Sequence, residues 1–121
     1  MDAYKAIMAA ADHIETYPES YDFWERGTPD LSPSNKACAL GWIGHYAGMR
    51  RIYNGDISIW LDSSNPDFYE IMNSFCSFSG WTVHADMCAG ALRRYAKKYH
   101  APKRQSRLPA AVRKLFSEPV T

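Results

Sequence analysis

Cys38 is the residue best placed for covalent chemistry. It falls in the first turn of a helix expected over Lys36–Ala47, where the helix dipole favours a thiolate nucleophile. Such a nucleophile needs a base, and His45 and His84 are the imidazoles that could serve. Seven residues on one helix separate Cys38 from His45, about 10 Å along the axis. Only a tertiary pairing with His84 would bring a base into reach. His84 and Cys88 offer a second chemistry, because a spacing of four puts both on one helical face as two metal ligands. Cys38, Cys76 or His45 would have to complete the set, and Asp86 points elsewhere on the wheel. The competing reading is that a Cys and a His on an apolar arc are core residues. No glycine-rich phosphate loop is present, since Gly41-x-x-Gly44 falls inside a helix. No cofactor is expected.

The elements that would carry these residues follow from periodicity. Tyr4, Ile7, Met8, Ala11 and Ile14 recur at spacings of three and four from Asp2 to Thr16, which predicts an amphipathic helix stopped before Pro18. Residues 17–34, with Pro18, Gly27, Pro29 and Pro33, form a long irregular connection pinned by Tyr21, Phe23 and Trp24. Ser34 or Asn35 is the expected cap of the next helix, which ends at Gly48. Gly41 and Gly44 within it imply close packing against another backbone, so this helix is expected to be central. Asn54-Gly55 between β-prone pairs predicts a hairpin with a type I′ turn. Asn65-Pro66-Asp67 starts a helix ending within Cys76–Gly80, and the strongest pattern predicts a helix over Trp81–Tyr99. After Pro102, a basic linker (Lys103–Leu108) leads to a short helix over Ala110–Ser117. The fold class is mainly α: about five helices around an aromatic-rich core with one short β-hairpin, in a single domain over residues 1–121.

Ile7-Met-Ala-Ala-Ala-Asp-His-Ile-Glu, a linker containing Trp24, and Ala37-Cys-Ala-Leu-Gly-Trp opening a helix make up the first 48 residues. This succession resembles an uncharacterised family of small bacterial and phage domains with an Ala-rich first helix and a Cys-Ala-x-Gly second helix. The resemblance implies a helical domain often encoded on mobile elements, with Cys38 and Gly41 as packing positions. It implies no activity.

The 121 residues carry 14 basic and 13 acidic side chains, a net charge of +1. That sum conceals a division. Residues 1–92 hold five basic against twelve acidic side chains, a charge of −7, and residues 93–121 hold nine against one, a charge of +8. A basic segment, 93–118, thus presents Arg93, Arg94, Lys97, Lys98, Lys103, Arg104 and Arg107, an arrangement suited to phosphate contacts. An acidic face of Asp12, Glu15, Glu19, Asp22 and Glu25 suits the converse partner, the basic channel of a nucleic-acid enzyme. Mutual pairing of the two sets is the plainer alternative, and a head-to-tail oligomer is a third. Three cysteines at wide spacing argue against a disulfide framework, and no apolar run approaches a membrane span. Without a secretory leader pattern, the expected compartment is the cytoplasm.

The expected function is that of a non-enzymatic interaction protein of a phage or mobile element. It would bind a host protein or a protein–nucleic-acid complex through its charged faces, for example as an inhibitor of host defence. A small DNA- or RNA-binding accessory protein is the alternative, and a cysteine- or metal-dependent enzyme the third class.

Overall fold

The structure, a computed structural model, describes residues 2–54, 57–61 and 65–101. Four α-helices and one antiparallel hairpin occur in the order α1 (Ala3–Thr16), α2 (Ala39–Tyr46), β1 (Arg50–Asn54), β2 (Ile57–Leu61), α3 (Pro66–Phe75) and α4 (Ala85–Tyr99). The fifth expected helix, over 110–117, lies outside the described residues.

Helix α1 is the hub, touching α2, α3 and α4, with its broadest contact on α4. Its buried face is Ala3, Ala6, Ile7, Ala10, Ala11 and Ile14, against Cys88, Ala89, Leu92, Tyr95 and Ala96 of α4 in one core cluster. Short side chains on both helices suit a close approach of the backbones. The central position expected for α2 therefore belongs to α1. The buried cluster sets Tyr21, Trp42, Phe68 and Tyr95 among alanines and isoleucines, and Tyr4, Phe23, Trp60, Phe75, Phe78, Trp81 and Tyr99 pack against it, partly buried.

Two helix starts lie later than the periodicity implies. Helix α2 begins at Ala39, and Cys38 is its N-cap in extended conformation rather than a first-turn residue. Ser34 and Asn35 sit instead in a turn, where the Lys36 N–H donates to Ser34 Oγ at 3.3 Å and Asn35 takes a positive φ of 58°. Helix α4 begins at Ala85 after His84, so Trp81 precedes it and docks separately, its Nε1 donating to the Phe75 carbonyl at 2.9 Å. Helix α3 starts as Asn65-Pro66-Asp67 implies. The Asn65 side chain accepts from the Asp67 N–H at 3.0 Å and donates to the Ala47 carbonyl at 2.9 Å, tying α3 to the end of α2.

The hairpin pairs Arg51 with Trp60 and Ile52 with Ile59, and its last pair is Asn54 with Ile57. This register puts the connection at residues 55–56, one residue later than an Asn54-Gly55 turn requires. Those two residues lie outside the described set. The inner face seats the Trp60 ring on Gly44, where a Cβ would stand 2.5 Å from a ring carbon. The long connection is a packed wall. Tyr21 and Ala37 form a parallel bridge at its two ends, and the Thr28 N–H donates to the Arg51 carbonyl at 3.1 Å. Gly27 lies against Gly41 so closely that a Cβ on Gly41 would stand 2.6 Å from the Gly27 carbonyl oxygen and 2.8 Å from Ala37 Cβ. The backbone approach expected at these glycines is real at Gly41, whereas Gly44 faces a ring.

Gly41→Ala should therefore destabilise the protein by about 1–3 kcal/mol, through overpacking against a backbone that cannot swing aside. Gly90→Ala, inside α4 with only the flexible Arg94 head 3.4 Å from the new Cβ, should stabilise it by up to about 1 kcal/mol. Urea unfolding midpoints that move in opposite directions check the pair.

Candidate functional site

Among the described residues, a cleft of about 340 Å³ lies between the start of α2, β1 and the turn after α3. Tyr21, Phe23, Leu40, Phe75 and Trp81 give it apolar walls, and Arg26, Cys38, Arg51 and Cys76 bring polar groups to it. Arg51 is only 6% exposed. Its backbone is satisfied by Thr28, whose Oγ1 accepts the Arg51 N–H at 3.0 Å. The side chain is held differently. The guanidinium carbon stands 4.7 Å from the ring centroid of Trp60, its cross-strand partner, and Nη2 donates to Cys38 Sγ at 3.5 Å. Among the described residues Nε has no hydrogen-bond partner. Arg26 is exposed, with its guanidinium 5.4 Å from the Tyr53 ring centroid.

Cys38 is half-buried, and among the described residues Arg51 is its hydrogen-bonding neighbour through the side chain. Neither proposed base reaches it by a hydrogen bond. His45 and His84 are both exposed, and no hydrogen bond between either imidazole and the thiol occurs among the described residues. The thiol therefore stands beside a cation instead of a general base, an arrangement that attracts negative charge but does not by itself remove a proton.

His84 and Cys88 are separated by burial. His84 is exposed at the N-cap of α4, whereas Cys88 is fully buried against Tyr21, and burial pushes its thiol up to about 12. Among the described residues no group of three His, Cys, Asp or Glu side chains could hold a metal ion. Tyr21 in turn donates its hydroxyl to the Thr82 carbonyl, and burial raises its pKa.

Two further polar clusters went unnoticed in the sequence. His100 Nε2 lies 2.8 Å from Ser74 Oγ and 3.0 Å from Tyr95 OH, while Ser74 Oγ also donates to the Glu70 carbonyl at 3.0 Å. This network ties the end of α3 to the end of α4, and burial lowers the His100 pKa. His13 stacks on Trp42 at 3.9 Å and bonds Tyr46 OH through Nδ1 at 2.8 Å, again with a pKa lowered chiefly by burial. Arg51 was also missed. Its signal is positional: in the strand alternation it shares the inner phase of Tyr53, opposite Trp60.

The charged faces are joined at one point. Arg93 donates to Asp12 Oδ1 at 2.8 Å and to Glu15 Oε2 at 2.7 Å, clamping α4 to α1. It is therefore engaged within the molecule. Arg94, Lys97 and Lys98 remain exposed, and Lys103, Arg104 and Arg107 lie outside the described residues. Of the acidic set, Glu19 is exposed, Asp22 accepts from the Trp24 N–H at 2.9 Å, and Glu25 accepts from Ser34 Oγ at 3.4 Å. Among the described residues no helix is long and apolar enough to cross a membrane.

The Arg93 hydrogen bonds, and then its charge, hold the Glu15 carboxyl below its ordinary value. A depressed acid contributes stability above its unfolded pKa, here about 4.5, and loses it as pH falls through the folded value. The stability difference between the wild type and Arg93→Met should therefore be constant above about pH 5 and shrink below it. Urea titrations across that range measure it. Compared with known proteins, the chain matches no family model, no curated protein and no solved structure.

Proposed function

We propose that this protein acts by binding rather than catalysis, and that it recognises a partner protein whose extended segment joins β2 as a third strand. One observation carries the reading. Among the described residues, β2 is hydrogen-bonded on one side only, to β1, and its sequence Ile-Ser-Ile-Trp-Leu has no charge or proline to protect the other edge. An unprotected apolar edge is a template for strand addition, in which main-chain hydrogen bonds supply affinity and alternate side chains supply specificity. The side chains fit that role. Ile57 and Ile59 are 59% and 50% exposed, and Ile52, paired directly with Ile59, is 44% exposed, so three isoleucines share the outer face. Such a patch marks an interaction surface more often than chance exposure does. The edge of β1 differs, because the Gly27–Thr28 backbone lies along it.

In this reading the partner belongs to a host cell, as the resemblance of the first 48 residues to bacterial and phage domains would imply, with inhibition of host defence as one role. A second reading is contact with DNA or RNA. The exposure of Arg94, Lys97 and Lys98 toward the end of α4 favours it, and the commitment of Arg93 to Asp12 and Glu15 weakens it.

A partner recovered from nuclease-treated host lysate should be lost with Ile57→Lys/Ile59→Lys and kept with Arg94→Glu/Lys97→Glu. In the purified complex, amide hydrogen exchange across residues 57–61 should slow by about tenfold or more, as new strand pairing requires. Concentration-dependent protection in the pure protein would make the neighbour a second copy and overturn the reading. Loss on charge reversal alone, with binding that falls steeply with salt, would favour nucleic acid.

A further inference from the structure

The cleft holds a charge that the described part of the fold leaves unbalanced. Arg51 is 6% exposed, takes part in no ion pair among the described residues, and has an Nε without a hydrogen-bond partner. Among the described residues its guanidinium is offered an aromatic face and one weak acceptor, Cys38 Sγ at 3.5 Å. A buried cation without an anion is costly, and here it lines a ligand-sized cavity instead of a closed core.

Other donors meet it there. The Cys38 thiol makes no capping hydrogen bond to α2, and the amides of Ala39 and Leu40, which follow it along the same cleft, have no intrahelical acceptors. Both stand at the positive end of the helix dipole. Facing them are apolar walls with a fixed geometry, since Phe75 and Trp81 stack at 4.3 Å and the Trp81 Nε1–H is tied to the Phe75 carbonyl.

We infer that this cleft binds a small aromatic monocarboxylate, its carboxylate toward Arg51 and the first amides of α2 and its ring against Phe75 and Trp81. This site is separate from the strand edge and does not depend on it. A single carboxylate matches a single guanidinium in charge and in planar geometry. A dianion such as phosphate would leave negative charge uncompensated among apolar walls, because Arg26, the other cleft arginine, is exposed and rests on Tyr53. The volume of about 340 Å³ lies at the small end of the range usual for ligand sites, roughly 300–1,000 Å³.

Benzoate is the probe, with benzamide as its neutral isostere and inorganic phosphate as the competing oxyanion. Titration followed by NMR should move the Ala39 and Leu40 amides and the Trp81 indole N–H, with benzamide at least about tenfold weaker than benzoate. Arg51→Met should abolish that difference while leaving the protein at least as stable, because an apolar side chain suits a buried site whose charge has no partner. If Arg51→Met fails to fold, Arg51→Lys keeps the charge without the fork and should weaken benzoate about tenfold while leaving benzamide unchanged. Equal affinity for benzoate and benzamide, silence at the start of α2, or saturation by phosphate but not benzoate would each overturn the assignment.

Discussion

The contact on which the cleft end of the molecule depends is the backbone of Gly27 lying against Gly41. No side chain fits between them, because a Cβ on Gly41 would stand 2.6 Å from the Gly27 carbonyl oxygen. Seated there, the connection between α1 and α2 makes two bonds and closes over one residue. It donates from Thr28 to the edge of β1, accepts from the Cys38 N–H at the Glu25 carbonyl, and buries Thr28 completely. A stretch that would otherwise be a tether becomes a wall. The same contact makes the hairpin asymmetric, covering the edge of β1, while among the described residues β2 pairs with β1 alone.

Two arginines illustrate how differently one charge can be used. Arg93 lies between two carboxylates at a half-open surface, where its pairing joins the two helices that form the broadest contact in the fold. Pairs of that kind are individually weak, but this one spans Asp12, Glu15 and Arg93 and so acts as a network. Arg51 is buried deeper and meets no carboxylate among the described residues. Its packing on Trp60 satisfies the flat face of the guanidinium, while among the described residues Nε stays without a partner. The division of the chain, −7 against +8, is bridged at Arg93, whereas Arg51, which belongs to the acidic part, meets no carboxylate among the described residues.

Much of the helical framework is legible in the sequence, because a 3.6-residue pattern survives wherever one face meets the core. Helix α4 exposes Arg94, Lys97 and Lys98 and buries Cys88, Leu92 and Tyr95, as its wheel implies. The errors have a common physical origin. Trp81 and Lys36 fall in phase with the helices that follow them, but local bonds divert them: the Trp81 indole to the Phe75 carbonyl, and the Lys36 amide to Ser34. Cys38 was legible as a residue near a helix start, while its neighbour was not. Arg51 reaches it through a sheet register and a glycine contact, both formed between segments distant in the chain. The charge split was legible and its partial internal closure was not, since nothing local connects Arg93 to residues about eighty positions earlier.

The bridge between Tyr21 and Ala37 has an evolutionary consequence. Because the two ends of that loop are fastened to each other, the Asp22 N–H donating to the Ala37 carbonyl and the Ala37 N–H to the Ser20 carbonyl, both at 3.1 Å, the length of the part beyond the seated Gly27–Thr28 is decoupled from the helices on either side. Doubling such a loop adds only about 0.6 kcal/mol of closure entropy. Its last stretch, Pro33 to Lys36, is exposed, whereas Phe23 and Arg26 near its start line the cleft. Related chains could therefore lengthen or shorten that stretch, and exchange the residues at the lip of the cleft, while α1 and α4 kept the same packing. Selectivity at one end of the molecule is free to diverge on a scaffold that need not change.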